Sequence, residues 1–192
     1  VERFAPLCPI ENIWVVTSRE YVPIVREQLP GMPVENILPE PAMRNTAPCI
    51  AYACWKIRQQ DPYANVVVTP ADAMVVDVNE FRKVIGRALD FTASGKRIVT
   101  VGITPTRPET GYGYIAAGEQ AAEIGILNVD SFREKPALAV AKEPLYSPSH
   151  KTECITRASL LLRPKYVGAN ALYLPNILSA FLISATAPEQ LV

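Results

Sequence analysis

A three-layer α/β fold with a mostly parallel central sheet is predicted by three observations. Short β-rich runs alternate repeatedly with helical patterns, beginning with Ile13–Thr17 followed by Ser18–Leu29. The run Val66-Val67-Val68-Thr69 carries no charge, as expected of a strand covered on both faces. Polar, proline-bounded segments fall between strand ends and helix starts, where open α/β sheets place ligands. With 192 residues, 49% of them hydrophobic, the chain is long enough to bury one sizeable core.

The elements follow in order. Ile13-Trp14-Val15-Val16-Thr17 predicts the first strand, and Ser18 through Leu29 a helix that Pro30-Gly31 ends. Val34–Leu38 predicts the second strand. A loop over 39–48 then leads into a helix at 48–60, with Pro48 at its first position and Ile50, Cys54 and Ile57 on one stripe. Lys56, Arg58, Gln59 and Gln60 face water in this reading. Val66–Thr69 is the third strand, closed by Pro70; Val78–Leu89 is the next helix and Lys96–Ile103 the next strand. Tyr114–Glu119 and Leu127–Phe132 predict two more strands, the second leading through Glu134-Lys135-Pro136 into a helix at 137–142.

Beyond Glu143 the pattern changes. Pro144–His150 is loop-like, Leu160-Leu161-Leu162 is a brief apolar run, and Pro175–Ala187 predicts a partly buried helix. The chain therefore divides into 1–143 and a remainder, 144–192, that completes the same domain or forms a small C-terminal subdomain.

Composition excludes several classes. Nineteen basic and nineteen acidic residues cancel, so no nucleic-acid track is expected. No apolar run reaches a membrane span of roughly 18 residues, and Val1-Glu2-Arg3-Phe4 does not open a signal peptide, which makes the cytoplasm the expected compartment. The four cysteines, Cys8, Cys49, Cys54 and Cys154, lack zinc-site spacing, and His150 is the only histidine, so free thiols are expected.

Four polar segments carry the candidate chemistry. Glu40-Pro41-Ala42-Met43-Arg44-Asn45-Thr46-Ala47-Pro48 places a carboxylate, a guanidinium, an amide and a hydroxyl between prolines, which reads as a binding loop. Helix capping by Asn45 and Thr46 is the plainer alternative. Asp72 follows the third strand, where its carboxylate suits a magnesium ion bridging phosphates or, more simply, a turn; Asp77 is the neighbouring acid. Arg107-Pro108-Glu109-Thr110-Gly111-Tyr112-Gly113-Tyr114 is a glycine turn into a strand, able to expose main-chain amides. Phe132-Arg133-Glu134-Lys135-Pro136 adds an acid and a point positive charge.

In that order the segments resemble the bacterial mannose-1-phosphate guanylyltransferase family, the GDP-mannose pyrophosphorylases, over residues 2–143. The resemblance implies a Rossmann-like nucleotide-diphospho-sugar transferase fold. It implies GTP and mannose 1-phosphate as substrates, GDP-mannose and pyrophosphate as products, and Mg2+ as cofactor. In the family pattern Glu40, Arg44, Asn45 and Thr46 line the nucleotide site. Asp72 holds the metal; Arg107, Gly111, Gly113 and Tyr114 belong to the sugar-site turn, and Glu134 and Lys135 approach the sugar phosphate, with Asp72 and Lys135 as catalytic residues. Asn170, in Gly168-Ala169-Asn170-Ala171, faintly echoes a sugar-binding asparagine. A homodimer fits the family.

The family also begins with a glycine-rich GGxGxRxxP segment and a proline-lysine signature that do not occur in this sequence. The resemblance thus implies a fold incomplete at its N-terminus. The competing reading is a noncatalytic sugar-nucleotide-binding or regulatory fragment built on the retained loops.

Overall fold

The computed structural model describes residues 1–72, 74–93, 97–103, 105, 107–120, 125–146, 153–156, 160–162 and 180–185. They fall into two compact units, one holding Val1–Ala64 and the other every described residue from Asn65 onward.

In the first unit, β1 (Val15–Thr17) and β2 (Ile37–Pro39) form a parallel pair in register from Val15↔Ile37 to Thr17↔Pro39. Between them runs α1 (Val22–Gln28), preceded by a 3-10 turn at Arg19–Tyr21, with Pro23 in its first turn where a missing N–H costs nothing. The predicted strand at Val34–Leu38 starts late because Val34–Asn36 is a 3-10 turn. Asn36 is buried and donates from Nδ2 to the carbonyls of Glu11 (2.7 Å) and Ile13 (3.0 Å), which draws its backbone out of the ladder. α2 (Thr46–Gln60) buries Ile50 and Cys54 on one stripe, as their spacing predicts. It begins two residues before Pro48, which still sits in the first turn. Lys56 is drawn over the rings of Trp55 (5.2 Å) and Tyr52 (5.9 Å).

In the second unit, β3 (Val66–Val68) precedes α3 (Val78–Ala93) and β4 (Ile98–Ile103). α3 buries Val84, Ile85, Ala88, Phe91 and Thr92, a single helical stripe, and lies against β4. A partly buried polar clasp ties the end of α3 to the residue before β3. Asn65 Nδ2 donates to the Leu89 carbonyl (2.8 Å), and Thr92 Oγ1 lies 3.0 Å from Asn65 Oδ1 and 2.8 Å from the Ala88 carbonyl. β5 (Gly113–Gln120) and β6 (Ile126–Arg133) form an antiparallel hairpin whose Ile115 and Ala117 pack with Leu127 and Val129. α4 (Leu138–Tyr146) follows, with Ala141 fully buried.

Three further strands complete the sheet among the described residues: β7 (Glu153–Thr156), β8 (Leu160–Leu162) and β9 (Ala180–Ala185). The predicted helix at 175–187 is corrected over 180–185, which is strand; its other residues lie outside those described. Ala-Phe-Leu-Ile-Ser-Ala is a short apolar run whose period selects neither element. Pairing decides it, because β4 supplies a parallel ladder from Ile98↔Ala180 to Ile103↔Ala185 and β6 an antiparallel one on the other side.

The architecture is α/β with parallel pairs at β1–β2 and β4–β9. Antiparallel pairs join β3–β8, β4–β8, β4–β7, β5–β7, β5–β6 and β6–β9, so the larger sheet is mixed. The antiparallel share comes from the hairpin and from the strands after 150, where the sequence carries no topological signal. No helix among the described residues is long and apolar enough to cross a membrane.

Candidate functional site

Glu40 sits where β2 ends. Its N–H donates to the Thr17 carbonyl at 2.8 Å, which extends the parallel pairing by one step and sets the half-buried acid at the carboxyl ends of both strands. Arg44, Asn45 and Thr46 are exposed at the start of α2. Asn45 takes the N-cap position, but its side chain makes no capping hydrogen bond. Its backbone has φ 67° and ψ −174°, a combination that is essentially glycine's alone and costs on the order of 1–3 kcal/mol elsewhere. The capping alternative therefore fails for Asn45, whose amide is left on the surface at a strained position. Cys49, one turn into α2, lies against Glu40. Burial, the Glu40 charge and a hydrogen bond to it push the thiol up to about 11, while burial alone pushes Cys54 up to about 12.

The two acids after β3 have separate surroundings. Asp72 is exposed in the turn that follows Pro70. Asp77 caps α3, its Oδ1 accepting from the Glu80 N–H at 2.8 Å. The spacing Asp77-x-x-Glu80 is itself a capping signature, missed when Asp77 is read only as a neighbouring acid.

The glycine turn is tied together by its own polar groups. Arg107 Nε is 3.3 Å from Glu109 Oε2, and the Glu109 N–H donates to the Tyr114 hydroxyl at 2.9 Å. Tyr114 is otherwise buried, so its phenol serves as the inner post of the turn. The two glycines differ. A Cβ on Gly111 would meet Glu109 Oε1 at an ordinary 3.8 Å, whereas one on Gly113 would fall onto the Phe132 ring, reaching Cζ and lying 2.6 Å from Cε2, and stand 3.2 Å from Glu134 Oε2.

Gly113 is thus brought together with Phe132 and Glu134 across the hairpin, whose last registered pair is Tyr114↔Arg133. Glu134 Oε1 in turn lies 3.8 Å from Lys135 Nζ. Lys135 has φ 42°, the left-handed region, which turns the chain sharply between β6 and α4. The contribution of Phe132 was missed from sequence. Its signal was alternation, since Phe132 and Glu134 share one face of the strand. Asn170 lies outside the described residues. Among the described residues no three His, Cys, Asp or Glu side chains cluster as a complete metal site.

The second unit therefore carries an exposed carboxylate after a strand end and, separately, a glycine turn brought against an acid–lysine pair, while the first carries a strained polar loop. The nucleotidyl transferase family matches residues 5–173. Mannose-1-phosphate guanylyltransferase of Escherichia coli (strain K12) is 36% identical over 188 residues, which cover 93% of this chain and 39% of that protein. Xanthan biosynthesis protein XanB of Xanthomonas campestris pv. campestris (strain B100) is 41% identical over 147 residues, covering 76% of this chain and 30% of that protein. The chain spans about a third of the length of the curated relatives it matches. A crystal structure of mannose-1-phosphate geranyltransferase from Thermus thermophilus superposes with a TM-score of 0.81 at 22% identity, over 95% of this chain and 62% of that one, a likeness of fold. The chain belongs to the nucleotidyl transferase family, and the enzymes it resembles there include mannose-1-phosphate guanylyltransferases.

Proposed function

We propose that the protein carrying this chain forms GDP-mannose and pyrophosphate from GTP and mannose 1-phosphate. A phosphate oxygen of mannose 1-phosphate attacks the α-phosphorus of GTP, the new P–O bond forms, and the α–β bridging bond breaks to release pyrophosphate. The observation that carries the reading is the order of four polar segments, each at the end of a strand or the start of a helix, in a chain whose relatives bear this activity in their names.

Each segment has a task. Glu40, Arg44, Asn45 and Thr46 hold the nucleotide: the carboxylate accepts from a guanine edge or a sugar hydroxyl, and the guanidinium faces phosphate. Arg107, Gly111, Gly113 and Tyr114 present the turn to the hexose, and Glu134 accepts from its hydroxyls. Lys135 offsets charge on the sugar phosphate. Residues 1–143 carry part of this nucleotidyltransferase domain, and 144–192 its remainder or a small C-terminal subdomain.

Magnesium fits the donors present, since Mg2+ sites use one or two carboxylates and complete their shell with water and substrate phosphate oxygens. Asp72 is the carboxylate that would hold it. When bound there, the ion would supply charge neutralisation on the phosphates. The soluble substrates suit a cytoplasmic enzyme.

The test is pyrophosphate release by the complete protein with GTP, mannose 1-phosphate and magnesium. Asp72→Asn is expected to lower turnover by about 10²–10³-fold with an unchanged far-UV spectrum. Undiminished turnover would remove Asp72 from the site, and release independent of mannose 1-phosphate would overturn the substrate assignment.

A further inference from the structure

Phe132 is a large apolar ring that remains 54% exposed at the end of β6. What it does cover is Gly113: the position of that residue's missing Cβ is taken up by the ring edge, 2.6 Å from Cε2. Gly113 stands one step beyond the registered pair Tyr114↔Arg133, so Glu134 is its cross-strand partner and Phe132 its diagonal neighbour on the same face. The glycine accordingly admits an aromatic ring from the neighbouring strand.

We propose that Phe132 is a positioning residue for the sugar end of the site, its ring seated on Gly113 so that the glycine turn and the Glu134–Lys135 turn move as one body. The proposal deepens the sugar-nucleotide reading above and rests on it for the identity of the ligand. Two observations argue that the ring holds the turn. Lys135 keeps a left-handed backbone, φ 42°, which a side-chain-bearing residue maintains only when its surroundings impose it. The ion pair between Glu134 and Lys135, 3.8 Å apart with both side chains more than 60% exposed, is too well solvated to impose anything. The ring, by contrast, lies directly over the position of the missing Gly113 Cβ, and Glu134 Oε2 borders the same space. One added methyl group at Gly113 would therefore displace the ring and crowd the carboxylate.

Hydrogen exchange on the complete protein decides this with four chains: wild type, Gly113→Ala, Phe132→Ala and the double variant. Removing the ring is expected to speed exchange of the 133–135 amides by about tenfold or more while leaving the α3 amides unchanged. Gly113→Ala should do the same alone and add nothing once the ring is gone. If Gly113→Ala fails to fold, recovery of folding in the double variant is the same positive result. Exchange at 133–135 that ignores loss of the ring overturns the proposal, as does an equal penalty for Gly113→Ala in both backgrounds.

Kinetics then assign what is positioned. Phe132→Ala should raise KM for mannose 1-phosphate by about tenfold with KM for GTP unchanged, and Phe132→Tyr should restore it. Equal rises in both KM values overturn the assignment to the sugar end. A wild-type protein that releases no pyrophosphate from these substrates would sink the functional reading alone, and the exchange cycle would still decide the coupling.

Discussion

The two polar loop regions are built on opposite principles. The loop from Glu40 to Asn45 is anchored by the Glu40 N–H on Thr17 and by the start of α2, and it leaves Arg44 and Asn45 exposed. The hairpin end around Gly113 instead spends its polar groups on one another, through Arg107–Glu109, Glu109–Tyr114 and Glu134–Lys135. In the first region one residue, Asn45, carries backbone strain; in the second, the left-handed Lys135 stands beside the close packing of one ring on one glycine. Strain can be relieved by substitution, whereas packing can only be spoiled, and the variants below test that asymmetry.

Two readouts are expected to move at Asn45. Asn45→Gly places a residue without Cβ where φ is 67°, and it should raise stability by about 1 kcal/mol, or about 2–4 °C in Tm. Under the proposed function the same change removes the amide and should raise KM for GTP by about tenfold. A lower Tm would mean that the loop is not strained, and the comparison would collapse.

Tyr114→Phe is the counterpart in the second region. It leaves the ring buried and deletes only the oxygen that accepts from the Glu109 N–H, so a loss of about 1 kcal/mol is expected, read as a lower Tm. An unchanged Tm would show that the turn does not depend on its inner post.

The smallest effect is chemical. With folded-state thiols near 11 for Cys49 and 12 for Cys54, against 9.0 for the ordinary thiol, both remain protonated at neutral pH. The folded chain holds these protons more tightly than the unfolded chain. The stability they contribute is therefore full below about pH 9 and is lost as pH rises toward 12. Iodoacetamide at pH 8 should modify Cys54 slowest. Glu40→Gln should speed modification of Cys49 without altering Cys54, measured by peptide mass spectrometry. Equal rates at Cys49 in both proteins would separate the acid from the thiol and leave Glu40 without its inner contact.

Elements whose signal is local were legible in the sequence. α2, α3, β4 and the β5–β6 hairpin follow from helical stripes, apolar runs and glycine turns, with ends shifted by a few residues. The Val34–Asn36 turn was hidden because its cause is Asn36 reaching back to Glu11 and Ile13. The β9 strand was hidden for the same kind of reason, its identity being decided by partners as far away as Ile98. At the site, residue types and their order were readable from the chain. The strain at Asn45 and the ring over Gly113 could not be read, because one is a matter of backbone angles and the other of a neighbour supplied by another strand, whereas the capping duty of Asp77 lay in the local Asp77-x-x-Glu80 spacing.

The clasp between Asn65 and the end of α3 has a practical bearing on how the molecule is divided. Asn65 is the first residue of the second unit, yet its amide satisfies the Leu89 carbonyl, and its oxygen meets the buried Thr92 hydroxyl. A cut placed just after Asn65 would look harmless on a linear map and would take the Asn65 amide away from the Leu89 carbonyl and the Thr92 hydroxyl. Gene fragments meant to yield the second unit by itself should therefore start upstream, in the exposed stretch Asp61–Tyr63.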